Sequence, residues 1–470
     1  MELSRLRFQN RYWDNPELLK EDIHLKQLFS APVVLKHPVE EMLKIDQDRV
    51  YIIRGPRQVG KTTLLKKLMQ ALIGNHVAPG RIFYFAFDIG NIKDDNEVAE
   101  LIHTYINFAR SDFKQKRLWL FLDEVTYTPN WAIGIKRAYD SGLLQNATLI
   151  LTGSSALDLK KGGERLPGRR GICAHENDLS MLPLNFRAYV KNIFGLNDLP
   201  SISEIDTKTL YNACFKASYY EEEIKNAFEE YLLCGGFPLS ILCFKEKGKI
   251  EPSIYYTYLQ AFIGDLTKAG KRESYVREIL SIIFQKRHEP LDWLLISKES
   301  GIGSHHTIKE YVETLEAFFL LKVIYAVKHL GGNEFSFRKR KKLYISDPFV
   351  YSLFLAWVKG EVEPYREAIR LVEDTLYKSK LTENVVGIHL SQVFPKLGYW
   401  RNRSEIDFIG LGKSPLRQYF EVKYQERITS RDKKQLKKTR GGIIISKRTL
   451  AYDEKNAIAI VPAHLFLSVL

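Results

Sequence analysis

The sequence is poor in cysteine and has no long hydrophobic run. Its four cysteines, among 470 residues, form neither a Cys-x-x-Cys pair nor the Cys/His spacing of a zinc site. The longest apolar runs, such as VYSLFLAWV, are about half the ~18 residues that a membrane-spanning helix needs. The first residues, MELSRLRFQN, lack the apolar stretch of a signal peptide. These absences argue against disulfides, structural zinc and a membrane anchor, and they predict a cytoplasmic protein of two to four domains.

Acidic residues are the minority charge. The chain has 70 Lys and Arg against 56 Asp and Glu, a formal net charge of +14. Residues 331–470 hold 26 basic and 15 acidic side chains, so +11 of the +14 lies in the last 140 residues. A basic excess concentrated in one part of a chain favours a polyanionic partner there, and DNA is the partner we expect. The alternative is a solvated surface kept soluble by lysine.

The strongest motif is GPRQVGKT, which fits the G-x-x-x-x-G-K-[ST] pattern of a phosphate-binding loop. The apolar strand VYII precedes it and an amphipathic helix follows it. In such a loop the glycines let backbone N–H groups approach phosphate oxygens, the lysine reaches the β- and γ-phosphates, and the last hydroxyl ligates Mg²⁺. The predicted ligand is therefore ATP with Mg²⁺. The predicted nucleotide-binding residues are Gly55, Pro56, Arg57, Gln58, Val59, Gly60, Lys61, Thr62 and Thr63.

A second apolar strand, in RLWLFLDEV, ends in two acids. Asp123 is expected to hold Mg²⁺ together with Thr62, and Glu124 to orient or deprotonate the attacking water, which predicts hydrolysis rather than binding alone. The strand in NATLILTGSSA ends in small polar residues, of which one is expected to sense the γ-phosphate. We assign that role to Ser154, with Thr152 and Ser155 as neighbours of the same kind.

The apolar strands of this region alternate with helical stretches. RIFYFAFDI, residues 81–89, is a fourth strand of the same kind, and the alternation predicts a parallel sheet with helices on both faces. The loop GGERLPGRRG follows, and an arginine there could act as an arginine finger on the γ-phosphate of a neighbouring subunit. Arg169 is the choice over Arg170, and it predicts a homo-oligomer. The alternative is a surface loop whose arginines touch nothing.

Five segments in order resemble one protein family: RGPRQVGKTTLLK, LDEVTYTPNW, LTGSSA, LPGRRG and LSMLPLNFRAYV. So ordered, they are similar to the archaeal and bacterial AAA-type ATPases that carry a C-terminal domain of unknown function. YLLCGGFPLSI and KKLYISDPFVYSLF resemble later landmarks of that family, so the likeness covers most of the chain. The resemblance implies an α/β protein. Its expected parts are a RecA-like AAA-type ATPase core, a helical lid, a winged helix and a restriction-endonuclease-like C-terminal domain.

Composition along the chain suits that division. Gly, Pro, Ser and Asp cluster in residues 192–209, and residues 210–285 are largely helical in pattern, with a break at GGFP. The expected domains are an N-terminal segment (1–45), the ATPase core (46–191), the lid (192–285), the winged helix (286–356) and the nuclease-like domain (357–470).

A helix-turn-helix spacing lies in residues 294–321, and a strand, a Gly-Gly turn and a second strand with the run RKRKK follow it. The run suits phosphate contacts by a wing. Against direct DNA contact, winged helices also serve as packing modules, and Glu310, Glu313 and Glu316 lie on the recognition helix. The predicted DNA-binding residues are Arg338, Lys339, Arg340, Lys341, Lys342, Arg401 and Arg403.

The segment SEIDFIGLGKSPLRQYFEVKY holds an acid–acid–lysine set on two predicted strands. Because side chains alternate along a strand, Asp407 can converge with Glu421 and Lys423 if the strands pair. The order helix–strand–strand resembles the PD-(D/E)xK nuclease superfamily, which implies Mg²⁺ or Mn²⁺ on Asp407 and Glu421, with Glu383 completing the site. The proline of that motif is absent, because Glu405 and Ile406 precede the aspartate. An active nuclease and a degenerate fold both stay open.

Three functions follow from these patterns. The first is an ATP-hydrolysing DNA-processing enzyme, in which the ATPase moves or remodels DNA and the tail binds or cuts it. The second is a nucleotide-controlled DNA-binding switch with a non-catalytic tail. The third is a protein-remodelling ATPase whose basic tail contacts RNA or an acidic partner. The paired acids Asp123 and Glu124 favour turnover, and hence the first function, because a binding switch does not need the second carboxylate.

Overall fold

The computed structural model describes residues 1–153, 177–202, 205–412 and 417–470. The chain divides into two compact units, Met1–Leu182 and Pro183–Leu470. A parallel sheet lies in the first unit and a mixed sheet in the second. Each unit is described by itself.

The sheet of the first unit consists of parallel strands, as the alternating pattern predicted. Its described strands are β1 (Val50–Arg54), β2 (Ile82–Ala86), β3 (Leu118–Asp123), β4 (Ala147–Gly153) and β5 (Asp178–Ser180). The order across the sheet is β2-β3-β4-β1-β5. Strand β4 therefore lies between the strand that leads into the phosphate-binding loop and the strand that ends in acids. All three end at the same edge of the sheet.

Helices cover both faces of this sheet, and two apolar clusters lie on its two sides. The longest helix, Asp95–Phe113, begins at Asp94, whose carboxylate accepts the first free N–H groups, and it buries residues spaced three or four apart. The other described α-helices of the unit are Leu3–Gln9, Ile23–Ser30, Val39–Met42, Lys61–Gly74, Phe87–Gly90 and Trp131–Asp140. Short 3-10 helices span Arg11–Trp13, Pro16–Leu19, Pro79–Arg81 and Val125–Tyr127.

The N-terminal segment covers the edge of the sheet at β2. Asn10 Oδ1 accepts from the N–H of Tyr84 at 2.8 Å, and Asn10 Nδ2 donates to the Tyr84 carbonyl at 2.9 Å. Gln9 does the same at Ala86, with distances of 2.8 and 3.3 Å. Two side-chain amides thus take the place of a neighbouring strand, and they close an edge that would otherwise be open to pairing.

The second unit is rich in helices. They span Phe186–Phe194, Thr207–Ala217, Glu221–Cys234, Pro238–Lys247, Pro252–Lys268, Glu273–Lys286, Trp293–Glu299, His305–Ala317, Pro348–Lys359, Pro364–Glu373, Thr375–Val393, Lys434–Lys438 and Ala463–Val469. The predicted break at GGFP is confirmed, because one helix ends at Cys234 and the next begins at Pro238. Within the described residues, no single helix has both the length and the apolarity to cross a membrane. One pair, Thr207–Cys234 with Pro238–Lys247, meets the length and composition test only jointly and is bent by 114°.

The sheet of the second unit joins a hairpin to the C-terminal strands. Its strands are β6 (Leu321–Val327), β7 (Phe335–Ile345), β8 (Lys396–Arg401), β9 (Glu405–Leu411), β10 (Arg417–Lys423), β11 (Gly442–Ser446), β12 (Ala451–Asp453) and β13 (Ile458–Pro462). The order is β12-β13-β11-β10-β9-β8-β6-β7. Because β6 pairs with β8, the hairpin expected as a wing and the strands expected as nuclease-like share one sheet. Strands β9 and β10 pair in the antiparallel sense, which is the condition on which the convergence of Asp407 with Glu421 and Lys423 depended.

Candidate functional sites

The phosphate-binding loop connects β1 to the helix Lys61–Gly74, as predicted. Gln58 and Gly60 adopt positive φ angles of 60° and 100°, and such turns direct successive N–H groups into an anion-binding hollow. Lys61 Nζ lies over this loop, 3.0 Å from the carbonyl oxygen of Gly55 and 2.9 Å from that of Pro56. The side chain is buried, and its ammonium is held beside the loop by these two carbonyl oxygens.

Gly55 has a second reason to be glycine. A β-carbon at this position would lie 2.0 Å from the carbonyl oxygen of Met181, in the segment that follows β5. The N–H of Met181 donates to the carbonyl of Arg54 at 2.7 Å, which brings the two chains together. Only glycine fits at position 55, because any β-carbon would collide with the segment after β5. This reason is separate from the approach of backbone N–H groups to phosphate.

Thr62 and Asp123 meet at the edge of the sheet. The Thr62 hydroxyl donates to Asp123 Oδ2 at 2.7 Å. A hydroxyl beside a carboxylate is an oxygen-donor pair of the kind that Mg²⁺ prefers, so these residues suit the metal that accompanies ATP. Asp123 is almost fully buried, and two further hydroxyls hold it: Tyr84 donates to Oδ2 at 3.0 Å, and Thr152 donates to Oδ1.

Glu124 follows Asp123 and turns away from the strand. Its backbone is left-handed, with φ 52° and ψ 43°, an uncommon conformation for a residue with a side chain. The N–H of Glu124 donates to Thr152 Oγ1 at 3.1 Å, and its carboxylate lies 3.8 Å from Lys61 Nζ. The turn places the carboxylate beside the phosphate-binding lysine, where it can orient water at the γ-phosphate.

The sequence did not predict that Thr152 and Tyr84 belong to this site. Thr152 was one of three small polar residues at the end of β4, and Ser154 was preferred to it. The position of β4 between β1 and β3 is what brings Thr152 to both acids. Tyr84 lies inside an apolar strand, and nothing in the sequence pattern marks it as polar in function. Ser154, Arg169 and Arg170 fall outside the described residues, so their roles stay predictions.

Part of the N-terminal segment also reaches the site. Lys66 Nζ lies 3.1 Å from Asp22 Oδ2 and 3.3 Å from the centre of the Tyr84 ring. Burial lowers the pKa of Lys66, while the charge of Asp22 opposes that shift. A continuous set of contacts therefore runs from Asp22 through Lys66 and Tyr84 to Asp123.

A basic and aromatic groove of about 890 Å³ lies in the second unit, between the tip of the β6–β7 hairpin and the helix Trp293–Glu299. Its basic and aromatic lining residues are Trp293, His305, Phe337, Arg338, Lys339, Arg340, Lys341, Tyr399 and Arg401. Phe337 is 69% exposed, an unusual state for such a large apolar ring. Four successive exposed residues, 337–340, precede five buried ones on β7.

The predicted DNA-binding residues divide into three groups. Arg338, Lys339 and Arg340 are exposed at the groove, and Arg401 and Arg403 are also exposed. Lys341 is buried against Trp293, with its Nζ 5.1 Å from the ring centre. Lys342 differs from the prediction, because its side chain is 3% exposed and lies among carboxylates, where no DNA phosphate can reach it.

The acids of the helix His305–Ala317 each have a cationic neighbour. Glu310 pairs with Lys271, Glu313 with Lys309 at 3.6 Å, and Glu316 with Lys322 at 2.8 Å. These contacts offset part of the negative charge that argued against DNA at this helix. Ser304 caps this helix, since its hydroxyl accepts from the N–H of Thr307 at 3.5 Å.

The acid–acid–lysine set of the tail does converge on one face of the sheet. Asp407 Oδ2 accepts from the N–H of Val422, the residue between Glu421 and Lys423, at 2.9 Å. Lys423 Nζ lies 2.9 Å from Glu421 Oε2. Burial first, and then the charge of Asp407, raise the pKa of Glu421 to about 8.

Lys342 enters this set from β7. Its Nζ lies 3.2 Å from Glu383, 3.2 Å from Asp407 and 2.5 Å from Glu405. Burial lowers the pKa of Lys342, but Tyr344 and the surrounding carboxylates outweigh burial and hold the pKa well above its usual value. The described residues contain no group of three or more His, Cys, Asp or Glu side chains placed to hold a metal ion. The Lys342 ammonium contacts carboxylate oxygens of Glu383 and Asp407 that the expected ion would use, and Mg²⁺ or Mn²⁺ on Asp407 and Glu421 stays a prediction.

A protein-family model matches the part of the first unit that holds the phosphate-binding loop. Residues 47–190 match the profile of an AAA domain. Together with the phosphate-binding loop, the Thr62–Asp123 contact and the parallel sheet, this match identifies residues 47–190 as an AAA-type P-loop ATPase domain. Residues 225–359 and 378–466 match two domains of unknown function, DUF8612 and DUF4143.

The chain is similar to two uncharacterized relatives and to several solved structures, of which one is described below. An uncharacterized protein of Methanocaldococcus jannaschii is 26% identical over 383 residues, covering 78% of this chain and 72% of its own. An uncharacterized protein of Haemophilus influenzae is 22% identical over 286 residues, covering 58% of this chain and 62% of its own. A Walker-type ATPase of Pyrococcus abyssi aligns with a TM-score of 0.38 at 16% identity, over 67% of this chain and 93% of its own.

Proposed function

We propose that this chain is an ATP-hydrolysing AAA-type ATPase that binds DNA through the groove of its second unit and uses ATP turnover to process or remodel that DNA. The observation that carries the proposal is the meeting of Lys61, Thr62, Asp123 and Glu124 at one edge of the parallel sheet. A phosphate ligand, an oxygen-donor pair and a second carboxylate are the groups that hydrolysis of a γ-phosphate requires.

Each side chain has a separate task in this proposal. Lys61 exchanges its two carbonyl contacts for phosphate oxygens, and the N-terminus of its helix adds a favourable dipole. Thr62 and Asp123 hold Mg²⁺, which when bound neutralises charge on the phosphates. Glu124 orients the attacking water and accepts its proton, held in place by the hydrogen bond from its N–H to Thr152.

Charge and shape of the groove support DNA as the partner. Three exposed cations, Arg338, Lys339 and Arg340, lie beside the exposed ring of Phe337. Guanidinium and ammonium groups contact phosphates, and an exposed ring can stack on a base. RNA and acidic proteins carry the same sign of charge as DNA and are therefore alternative partners. Binding experiments in which each competes with DNA distinguish them. The homo-oligomer expected from Arg169 is part of the proposal as well.

ATP turnover with and without DNA tests this function. We expect Mg²⁺-dependent hydrolysis that DNA stimulates, loss of ATP binding in Lys61→Ala, and retained ATP binding with lost turnover in Glu124→Gln. A single slow turnover per nucleotide bound, unchanged by DNA, would instead support a nucleotide-controlled switch. Hydrolysis without any DNA binding at physiological salt would contradict the DNA part of the proposal and leave the ATPase part intact.

A further inference from the structure

Four acidic residues of the second unit form a carboxylate cluster: Glu383, Glu405, Asp407 and Glu421. Its members come from the helix Thr375–Val393 and from strands β9 and β10. Lys342 comes from β7, the strand that pairs with β6 and has no other strand neighbour in the sheet. Lys341, one residue earlier, packs on Trp293 in the groove, so adjacent side chains of one strand serve the groove and the cluster.

Three of the four carboxylates already have a protein donor on each oxygen. Glu383 Oε1 accepts from Lys342 and Tyr344 at 3.2 and 2.9 Å, and Oε2 accepts from Lys380 at 3.0 Å. Asp407 Oδ1 faces Lys342 at 3.2 Å, and Oδ2 accepts from the N–H of Val422 at 2.9 Å.

Glu405 is bound in the same way, with Lys342 on Oε1 at 2.5 Å and Arg401 near Oε2 at 3.4 Å. Glu421 has Lys423 on Oε2 at 2.9 Å. Each carboxylate of the cluster therefore has a cationic neighbour within the protein, although Arg401 also contacts Glu289 at 2.6 Å and burial raises the pKa of Glu421 to about 8. A divalent ion would need these oxygens at about 2.0–2.6 Å and would have to displace their present donors.

We infer that the ammonium group of Lys342 takes the place of the divalent cation in this nuclease-like cluster, so that the second unit binds DNA without a metal and does not cut it. The ammonium bridges three carboxylates from the helix and from β9, which is the task of a metal in such a site. The side chain is 3% exposed and lies within 6 Å of the ring centres of Tyr399 and Phe408, which close it off from solvent. Its DNA-binding part rests on the function proposed above, whereas the replacement of the metal by Lys342 is independent both of DNA binding and of ATP hydrolysis by the first unit.

Removal of the lysine should open the cluster to metal. Lys342→Met keeps the length and apolar stem of the side chain but leaves three carboxylates without their shared cation. We expect the full-length Lys342→Met protein to bind one Mn²⁺ that the parent does not bind, with the ion lost again in Lys342→Met/Asp407→Asn. Each protein also carries Asp123→Asn, which removes the metal position of the ATPase site, and no nucleotide is present.

Manganese binding is measured by electron paramagnetic resonance and by the shift of the thermal unfolding midpoint in millimolar Mn²⁺. The expected result is no shift in the parent and an upward shift in Lys342→Met. Lys396→Met changes an exposed lysine on β8 of the same sheet, outside the groove, and is the matched control that should behave like the parent. A folded Lys342→Met protein that binds no Mn²⁺ would overturn the inference.

If Lys342→Met does not fold, Mn²⁺ binding by the parent protein still tests the inference. A Mn²⁺ ion bound by the parent and lost in Asp407→Asn would overturn the inference. No Mn²⁺ response in either protein, together with no cleavage of labelled linear or branched DNA in Mg²⁺ or Mn²⁺, would support it.

Discussion

Thr152 connects the two acidic residues of the ATPase site. Its hydroxyl donates to Asp123 Oδ1 and accepts the N–H of Glu124, so one side chain positions both the proposed metal ligand and the residue proposed to orient water. It is fully buried at the end of β4. Thr152 is thus a positioning residue, and its loss should affect turnover more than ATP binding.

We predict that Thr152→Val lowers kcat about 10- to 100-fold, as loss of an outer-shell partner does at metal sites, while KM for ATP changes little. Valine keeps the shape of threonine and removes only the hydroxyl. Thr152→Ser retains the hydroxyl and should recover most of the activity. Steady-state ATPase kinetics checks both, and a rise in KM with unchanged kcat would contradict the positioning role.

His389 predicts a pH dependence of stability. Burial lowers its pKa to about 4, and its Nε2 accepts the N–H of Phe186 at 2.9 Å, a bond that a protonated ring cannot make. The unfolded chain binds a proton below a pH of about 6.5, and the folded chain does so only near pH 4. Stability is therefore full above pH 6.5 and falls as the pH drops towards 4, by about 3 kcal/mol for this residue.

Acid unfolding followed by circular dichroism checks this prediction. His389→Gln cannot be protonated in this range, so its free energy of unfolding should be lower at pH 7 but should change less between pH 6.5 and 4. His103→Gln alters an exposed histidine and serves as the control. An equal loss on acidification in both variants would contradict the role of His389.

At the scale of single elements, the edge strand β2 depends on one asparagine. Asn10 is fully buried and uses its complete hydrogen-bonding capacity: Nδ2 donates to the carbonyls of Leu6 and Tyr84, and Oδ1 accepts from the Tyr84 N–H and the Tyr12 hydroxyl. Without it, the backbone N–H and carbonyl of Tyr84 lose their partners in a buried place. The N-terminal segment therefore stabilises the ATPase unit directly.

We expect Asn10→Ala to lower the free energy of unfolding by about 2–4 kcal/mol, since several buried polar groups each lose a partner at about 1–3 kcal/mol. It should also promote aggregation, because the edge of β2 becomes available for pairing. Urea unfolding and light scattering measure the two effects. Arg11→Ala, at the exposed neighbouring position, should leave both unchanged, and an equal effect there would refute the special role of Asn10.

These elements also show how far sequence patterns reach. The meeting of Thr62 with Asp123 was predictable, because parallel strands carry their loops at one edge and the motif fixes the spacing. The roles of Asn10 and Tyr84 were not, since side-chain amides and hydroxyls that bond to distant backbone leave no periodic signal. The run RKRKK was interpreted as one exposed surface, yet β7 passes from an exposed tip to a buried stretch within it, and Lys342 lies beyond that change. Burial of a lysine depends on partners from distant segments, which spacing alone does not reveal.

At the scale of the whole molecule, charge is distributed unevenly along the chain. Residues 331–470 carry +11 of a net +14, and they include the hairpin tip that lines the groove. Much of this charge is already paired within the second unit, as at Lys342 with its carboxylates and Lys447 with Glu426. DNA binding should therefore depend on the few exposed cations of the groove rather than on the net charge.

Salt dependence of DNA binding distinguishes these two accounts. Each phosphate contact contributes about one unit to the slope of log K against log salt concentration, so Arg338→Gln/Lys339→Gln should weaken binding and reduce the slope by about 2. Lys93→Gln/Lys114→Gln removes two exposed cations from the first unit and changes the net charge equally. Fluorescence anisotropy at several salt concentrations measures both slopes. Equal changes in the two double variants would mean that net charge attracts DNA, whereas a change confined to the hairpin would place the phosphate contacts in the groove.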